Sequence, residues 1–155
     1  MNIGIIGYGK MGRAVEKCAI QKGHNIVFKI NSLNQNELNK TNLSLIDVAI
    51  EFSSQQCAFD NIVFCLKNKV PIVSGTTGWQ KRLSEIKDIC LTHKASFLHA
   101  PNFSLGVNLF FDINNYVAKL MKLKKYNIEL EEKHHEMKKD IPSGTAIKIL
   151  NDISL

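Results

Sequence analysis

The 155-residue sequence has no apolar run close to the roughly 20 residues that a membrane-spanning helix needs, so no such helix is expected. No basic segment precedes the short apolar run at its start, and a signal peptide is not expected either. The four cysteines, Cys18, Cys57, Cys65 and Cys90, form neither a CxxC pair nor a Cys/His spacing suited to a metal. They read as buried free thiols of a cytoplasmic protein, with no metal implied. Internal repeats and low-complexity segments are missing, which removes solenoid and linker architectures. Acidic residues are in deficit, 14 against 20 Lys and Arg, for a formal charge of +6. That balance permits nucleic-acid binding without arguing for it. The densest basic run, residues 119–125, ends an amphipathic helix, where cations suit the helix dipole. Neither a nucleic-acid nor a membrane partner is expected.

What is present is a foldable chain, 45% hydrophobic, with strand and helix signals in alternation. An apolar run at 2–6 leads into Gly7-Tyr8-Gly9-Lys10-Met11-Gly12, and Met11, Ala14, Val15 and Cys18 then recur at helical spacing as far as Gly23. Strands are expected at 25–30, 45–52, 70–74 and 96–100, with helices at 55–67 and around Leu83, Ile86 and Cys90. Residues 31–42 read as a loop with about one helical turn. This is a doubly wound, Rossmann-like parallel α/β sheet. After residue 103 the pattern changes to a long helix over 106–124. A half-buried strand follows, in which Tyr126, Ile128 and Leu130 alternate with polar residues, and then a helix beyond Ser143. The expected domains are 1–103, a dinucleotide-binding domain, and 104–155, a truncated α+β substrate domain.

The glycine motif carries the first chemistry. Gly7 allows a tight turn, Gly9 lets a pyrophosphate approach the backbone, and Gly12 lets the helix pack on the strand. Lys10 or Arg13 can add charge near phosphate. The second strand ends without the acid that usually binds the ribose of NAD. Asn31 can still bond a ribose and a nearby Lys29 would tolerate a 2′-phosphate, a weak lean to NADPH or to dual use. Gly75-Thr76-Thr77-Gly78 and Asn102-Phe103-Ser104 lie at the C-terminal ends of strands, where open α/β sheets bind ligands, and Phe103 can pack on a nicotinamide or in a core. Residues 132–146 gather His134, His135, Lys138 and a Pro-Ser-Gly-Thr turn, groups able to move a proton and to hold a carboxylate at a helix start.

Taken in order, Gly7 to Arg13, the Asp47-Val48-Ala49-Ile50-Glu51-Phe52-Ser53 run, Gly75-Thr76-Thr77-Gly78, Ala100 to Asn108, and His134-His135 through Ala146 resemble the 4-hydroxy-tetrahydrodipicolinate (dihydrodipicolinate) reductase family. The resemblance covers essentially the whole sequence. It implies an oxidoreductase of diaminopimelate and lysine biosynthesis that reduces a cyclic, unsaturated dicarboxylate with NADH or NADPH. By the resemblance His134 is the catalytic histidine and Lys138 the proton donor, while His135, Ser143, Gly144 and Thr145 hold the substrate carboxylates. Gly7, Tyr8, Gly9, Lys10, Met11, Gly75, Thr76, Thr77, Ala100, Pro101, Asn102 and Phe103 match cofactor contacts. Family members form homotetramers and continue beyond the substrate motif, so the second domain is expected to be short. An alternative is a remnant that binds NAD(P) with impaired turnover.

Overall fold

A computed structural model describes residues 1–124, 126–134, 136 and 141–154. Their contacts divide the chain into two compact units, Met1–Ala100 and Pro101–Leu155.

The first unit is a five-stranded, all-parallel sheet in the order β2-β1-β3-β4-β5. Its strands are β1 (Asn2–Ile6), β2 (Asn25–Ile30), β3 (Val48–Glu51), β4 (Ile72–Ser74) and β5 (Phe97–His99). The helices between them are α1 (Lys10–Gln21), the single turn α2 (Lys40–Leu43), α3 (Gln55–Lys67) and α4 (Leu83–His93). Right-handed crossovers place α1 on one face and α3 with α4 on the other. The core is divided accordingly. Ile3, Ile5 and Ala19 pack on the α1 face, and a larger cluster built on Ile30, Ala49, Ile62, Leu66, Ile72 and Ile86 fills the other. Each fully buried aliphatic side chain there contributes about 1.5–3 kcal/mol. The order reverses between β1 and β3, and such a switch point leaves a crevice outside the C-terminal strand ends.

Strands β1 and β2 and helix α3 have the expected bounds, while β3, β4 and β5 are shorter than the apolar runs that predict them. In those runs the outer apolar residues lie beyond the paired ladder. The inward stripe of α1 differs by one residue from the expected one. Gly12 and Ala19 are buried, whereas Met11 is 52% exposed and Ala14 and Cys18 are exposed. The cause is Gly12, which packs so closely that a Cβ there would lie 2.5 Å from the Gly7 oxygen. The thiols are free, as expected, but only Cys65 is buried; Cys18 and Cys57 are exposed and Cys90 is intermediate.

Residues 31–44 hold themselves together. Asn31 N–H donates to Asn34 Oδ1 at 2.7 Å, Leu33 N–H to Asn31 Oδ1 at 2.8 Å, and Asn34 Nδ2 to the Lys29 carbonyl at 2.9 Å. Further on, Asn39 caps α2 by accepting from Asn42 N–H, and Asn42 Nδ2 donates to the Glu37 carbonyl. These are side-chain-to-backbone turns of the kind asparagine favours.

The second unit contains α5 (Leu105–Met121) and α6 (Gly144–Ile153), which pack on each other, with Asn114 Nδ2 donating to the Ile149 carbonyl at 3.4 Å. Both helices start at a serine cap: Ser104 Oγ accepts from Val107 N–H and Ser143 Oγ from Ala146 N–H. The strand expected at Tyr126 to Leu130 is not formed. Tyr126, Ile128 and Leu130 are 64%, 56% and 39% exposed, so their alternation has no sheet to lie on. A strand is stabilised by cross-strand partners, and among the described residues this segment has none.

Candidate active site

The glycine loop is fixed by its neighbours on both sides. Gly7 (φ 93°) and Tyr8 donate their N–H groups to the Ile30 carbonyl at 2.9 and 2.7 Å, which ties the loop to the end of β2. A Cβ on Gly7 would overlap the Phe52 carbonyl, so the loop also abuts the exit of β3. At Gly9, by contrast, a Cβ would meet nothing within 4 Å. The start of α1 has no side-chain cap and no acidic residue in its first turn, so its leading N–H groups face an approaching anion. An open backbone at Gly9 beside an uncapped helix start fits the pyrophosphate of a dinucleotide. Lys10 and Met11 are exposed next to it.

At the adenosine end expected from the sequence, Asn31 Oδ1 is already engaged by its own loop. Lys29 is engaged too: its Nζ lies 3.0 Å from Glu16 Oε1, and 4.9 Å from the Tyr8 ring centroid. The Tyr8 hydroxyl donates to the other Glu16 oxygen, and Arg13 stands 5.2 Å from the same ring. The Tyr8 hydrogen bond, followed by that of Lys29, holds the Glu16 carboxyl below its ordinary range. Lys29 is therefore neutralised by Glu16, which works against the lean to a 2′-phosphate.

The Gly75–Gly78 loop leaves β4 on the same sheet edge. Gly75 is required by the Phe52 ring, which a Cβ would overlap. Thr76 is buried, and its carbonyl accepts from Trp79 Nε1 at 2.7 Å and faces His99 Nε2 at 3.2 Å. Burial holds His99 below its ordinary pKa, against smaller opposing effects of the Thr76 carbonyl and Glu51. Ala100 closes the unit, its N–H donating to the Ser74 carbonyl.

Sequence reasoning overlooked the residue at the centre of this edge. Glu51 is fully buried at the end of β3, with Ser53, Ser74 and Thr76 all donating to its carboxylate. The available signal was an acid inside the apolar stretch Val48-Ala49-Ile50-Glu51-Phe52, at a strand end.

In the second unit, Pro101, Asn102 and Phe103 form the approach to α5. Asn102 Oδ1 accepts from Ser104 N–H, its carbonyl accepts from Asn108 Nδ2, and Phe103 is 48% exposed. His134 Nε2 lies 3.2 Å from Glu132 Oε2, and both Glu132 oxygens accept from Ser143 N–H, at 3.0 and 3.3 Å. Hydrogen bonding from the Ser143 side chain, and then from its backbone, holds the Glu132 carboxyl below its ordinary range. The Ser143 N–H expected to meet a substrate carboxylate thus carries Glu132, a partner the sequence reading missed. Gly144 and Thr145 form the next positions of the helix start. His135 and Lys138 lie outside the described residues.

Residues 1–103 match the family model for the N-terminus of dihydrodipicolinate reductase, and residues 106–154 match that for its C-terminus. The chain belongs to the dihydrodipicolinate reductase family. It is 44% identical over 155 residues to a 4-hydroxy-tetrahydrodipicolinate reductase of Christiangramia forsetii, an alignment covering 99% of this chain and 64% of that protein. Against the reductase of Archaeoglobus fulgidus the identity is 36% over 160 residues, covering 91% and 60%. The structure resembles a dipicolinate-bound dihydrodipicolinate reductase from Paenisporosarcina, with a TM-score of 0.74 and 25% identity, over 99% of this chain and 65% of that one. The chain spans a little under two thirds of the length of these dihydrodipicolinate reductase relatives.

Proposed function

We propose that this chain carries the nucleotide half and the proton-donating end of a reductase in diaminopimelate and lysine biosynthesis. The reaction is reduction of 4-hydroxy-tetrahydrodipicolinate to tetrahydrodipicolinate with NADH or NADPH, in which the 4-hydroxyl leaves as water and the conjugated carbon–nitrogen system so formed takes the hydride. The observation that supports this most directly is the open glycine loop at Gly9 beside the uncapped start of α1, in a member of this family. The nucleotide, when bound, supplies a hydride to the conjugated carbon–nitrogen system of the substrate.

The chain's own groups then have separate tasks. Gly7, Gly9 and Gly12 shape the phosphate loop, and the Gly75, Thr76 and Thr77 loop receives the nicotinamide end. His134 and Lys138 supply the proton that quenches charge on the substrate, a contribution of about 10²–10⁴ in rate. The Glu132 carboxylate, bonded to both His134 and Ser143, fixes the imidazole against the start of α6. The leading N–H groups of Gly144 and Thr145, with His135, take the substrate carboxylates. Assembly as a homotetramer in the cytoplasm goes with this reading.

The test follows NADPH and NADH absorbance with the product of the preceding synthase supplied. Oxidation is expected, and Lys138→Ala should abolish turnover while cofactor affinity stays intact. Normal cofactor binding without oxidation would replace this reading with that of an NAD(P)-binding remnant.

A further inference from the structure

A histidine has two ring nitrogens, and in His134 one of them is already committed. Its Nε2 lies 3.2 Å from Glu132 Oε2, across the single residue Lys133. Glu132 is not a loose surface carboxylate. Its two oxygens accept from Ser143 N–H at 3.0 and 3.3 Å, its side chain is 23% exposed, and Ser143 is buried at the start of α6. Bonds from Ser143, and less strongly from His134, hold the carboxyl below its ordinary range, so it is ionised at neutral pH. An ionised carboxylate accepts hydrogen bonds and donates none. The nitrogen that faces it therefore carries a hydrogen, in the neutral imidazole as in the imidazolium.

We propose that Glu132 is a positioning residue that reserves Nε2 of His134 and makes Nδ1 the atom through which this histidine exchanges its proton. The inference rests on the reductase reading above, in which His134 helps to protonate the substrate. In the imidazolium both nitrogens carry hydrogen. Loss of the Nε2 hydrogen would turn a lone pair toward the carboxylate, whereas loss of the Nδ1 hydrogen leaves the charge-assisted bond to Glu132 intact. In the transfer the Nδ1–H bond breaks and its electron pair stays on the ring. The proton joins the substrate atom that became negative when the hydride arrived. Neutral His134 keeps its Nε2–H on Glu132, and a proton from solvent restores Nδ1–H. Because the carboxylate is tied to Ser143, the ring is oriented from the same helix start that is proposed to take the substrate carboxylates.

The experiment uses Glu132→Gln in the full chain. A glutamine carbonyl can still accept from Ser143 N–H, which keeps the start of α6 satisfied, and its amide then turns an N–H toward Nε2. Neutral His134 answers by accepting at Nε2 and holding its hydrogen on Nδ1. Nitrogen NMR of the isotopically labelled protein reads this directly, with the signals of His134, one of five histidines, identified by their loss in His134→Gln. At a pH where the ring is neutral, the expected hydrogen is on Nε2 in the wild type and on Nδ1 in Glu132→Gln. In turnover, kcat should fall about tenfold or more, the size of a charge-assisted bond, without a rise in KM. In a His134→Gln background the same change should have no further effect. Hydrogen on Nδ1 in the wild type, one tautomer in both proteins, or an undiminished loss in the His134→Gln background would each overturn the proposal. If Glu132→Gln does not fold, the wild-type spectrum decides: hydrogen on Nε2 supports the proposal and hydrogen on Nδ1 overturns it. A wild-type chain that leaves NADPH and NADH unoxidised overturns the reductase reading, and the nitrogen signals then test the assignment by themselves.

Discussion

Each unit holds a hydrogen-bonded glutamate at its candidate site, and the two are treated differently. Glu51 in the sheet unit is 0% exposed and accepts from three hydroxyls and a backbone N–H. Glu132 in the helical unit is partly exposed and bonds to a backbone N–H and an imidazole. The first holds the buried hydroxyls of Ser74 and Thr76, which solvent would not reach if it were removed. The second holds groups that water or an incoming anion can satisfy in its place. A carboxylate of the first kind is part of the scaffold, and one of the second kind can exchange with a ligand.

The sharpest way to break this contrast is to remove both groups in turn. Glu51→Leu strands buried donors at about 1–3 kcal/mol each, and the sheet unit should fail to fold, seen as loss of the cooperative urea transition. Glu132→Leu should leave that transition in place. Gly7→Ala comes next in size. It combines a left-handed backbone with overlap on the Phe52 carbonyl, and nucleotide affinity should drop by more than about tenfold for a strain of roughly 1–2 kcal/mol. Calorimetric titration checks it, and an unchanged affinity would show that the loop relaxes freely.

A smaller effect is expected on the outer side of the same loop. Glu16→Gln frees Lys29 from its anion, so NADPH affinity should rise severalfold relative to NADH. The smallest effect is a slope. The folded pKa of His99 lies below its ordinary value of about 6.5, so between the two the unfolded chain binds the extra proton. The His99 contribution to stability is therefore complete above about pH 7 and declines as pH falls through that window. His99→Gln should flatten the dependence of the urea midpoint on pH, and an equal slope in the variant would show that His99 titrates normally.

Much of the sheet unit was legible because its signals are local. A glycine turn follows an apolar run at Ile6, and Gly23 (φ 77°) stops α1, so both ends of the first βαβ unit are written in adjacent residues. The ends of β3, β4 and β5 depend instead on how far the neighbouring strand extends, which no local pattern records. Lys94 ends α4 with φ 52°, a left-handed position usually marked by glycine and here unmarked. At the candidate site, the glycine and Gly-Thr-Thr-Gly loops follow strands whose parallel order carries both to one edge. The bonds of Glu51 to Ser74 and Thr76 and of Glu132 to Ser143 were not legible because the partners are 23–25 and 11 residues away in sequence. Tyr126, Ile128 and Leu130 show the opposite failure, a correct periodicity whose meaning depends on partners outside the segment.

The asparagine-built turn between β2 and β3 has a consequence for how this chain can change. Nearly every bond that shapes it begins and ends within residues 29–44, and Gln35 Nε2 to Asn61 Oδ1 at 3.0 Å is a link that leaves it. Its exposed residues can be rewritten with little effect on the sheet beneath it, provided that Leu43, buried in the core, and Leu38, packed against it, are kept. It is also the stretch that follows β2, the strand expected to end at the ribose. On the proposed nucleotide reading, preference can therefore drift by exchange of these exposed residues, while Leu38, Leu43 and the buried edge around Glu51 stay fixed.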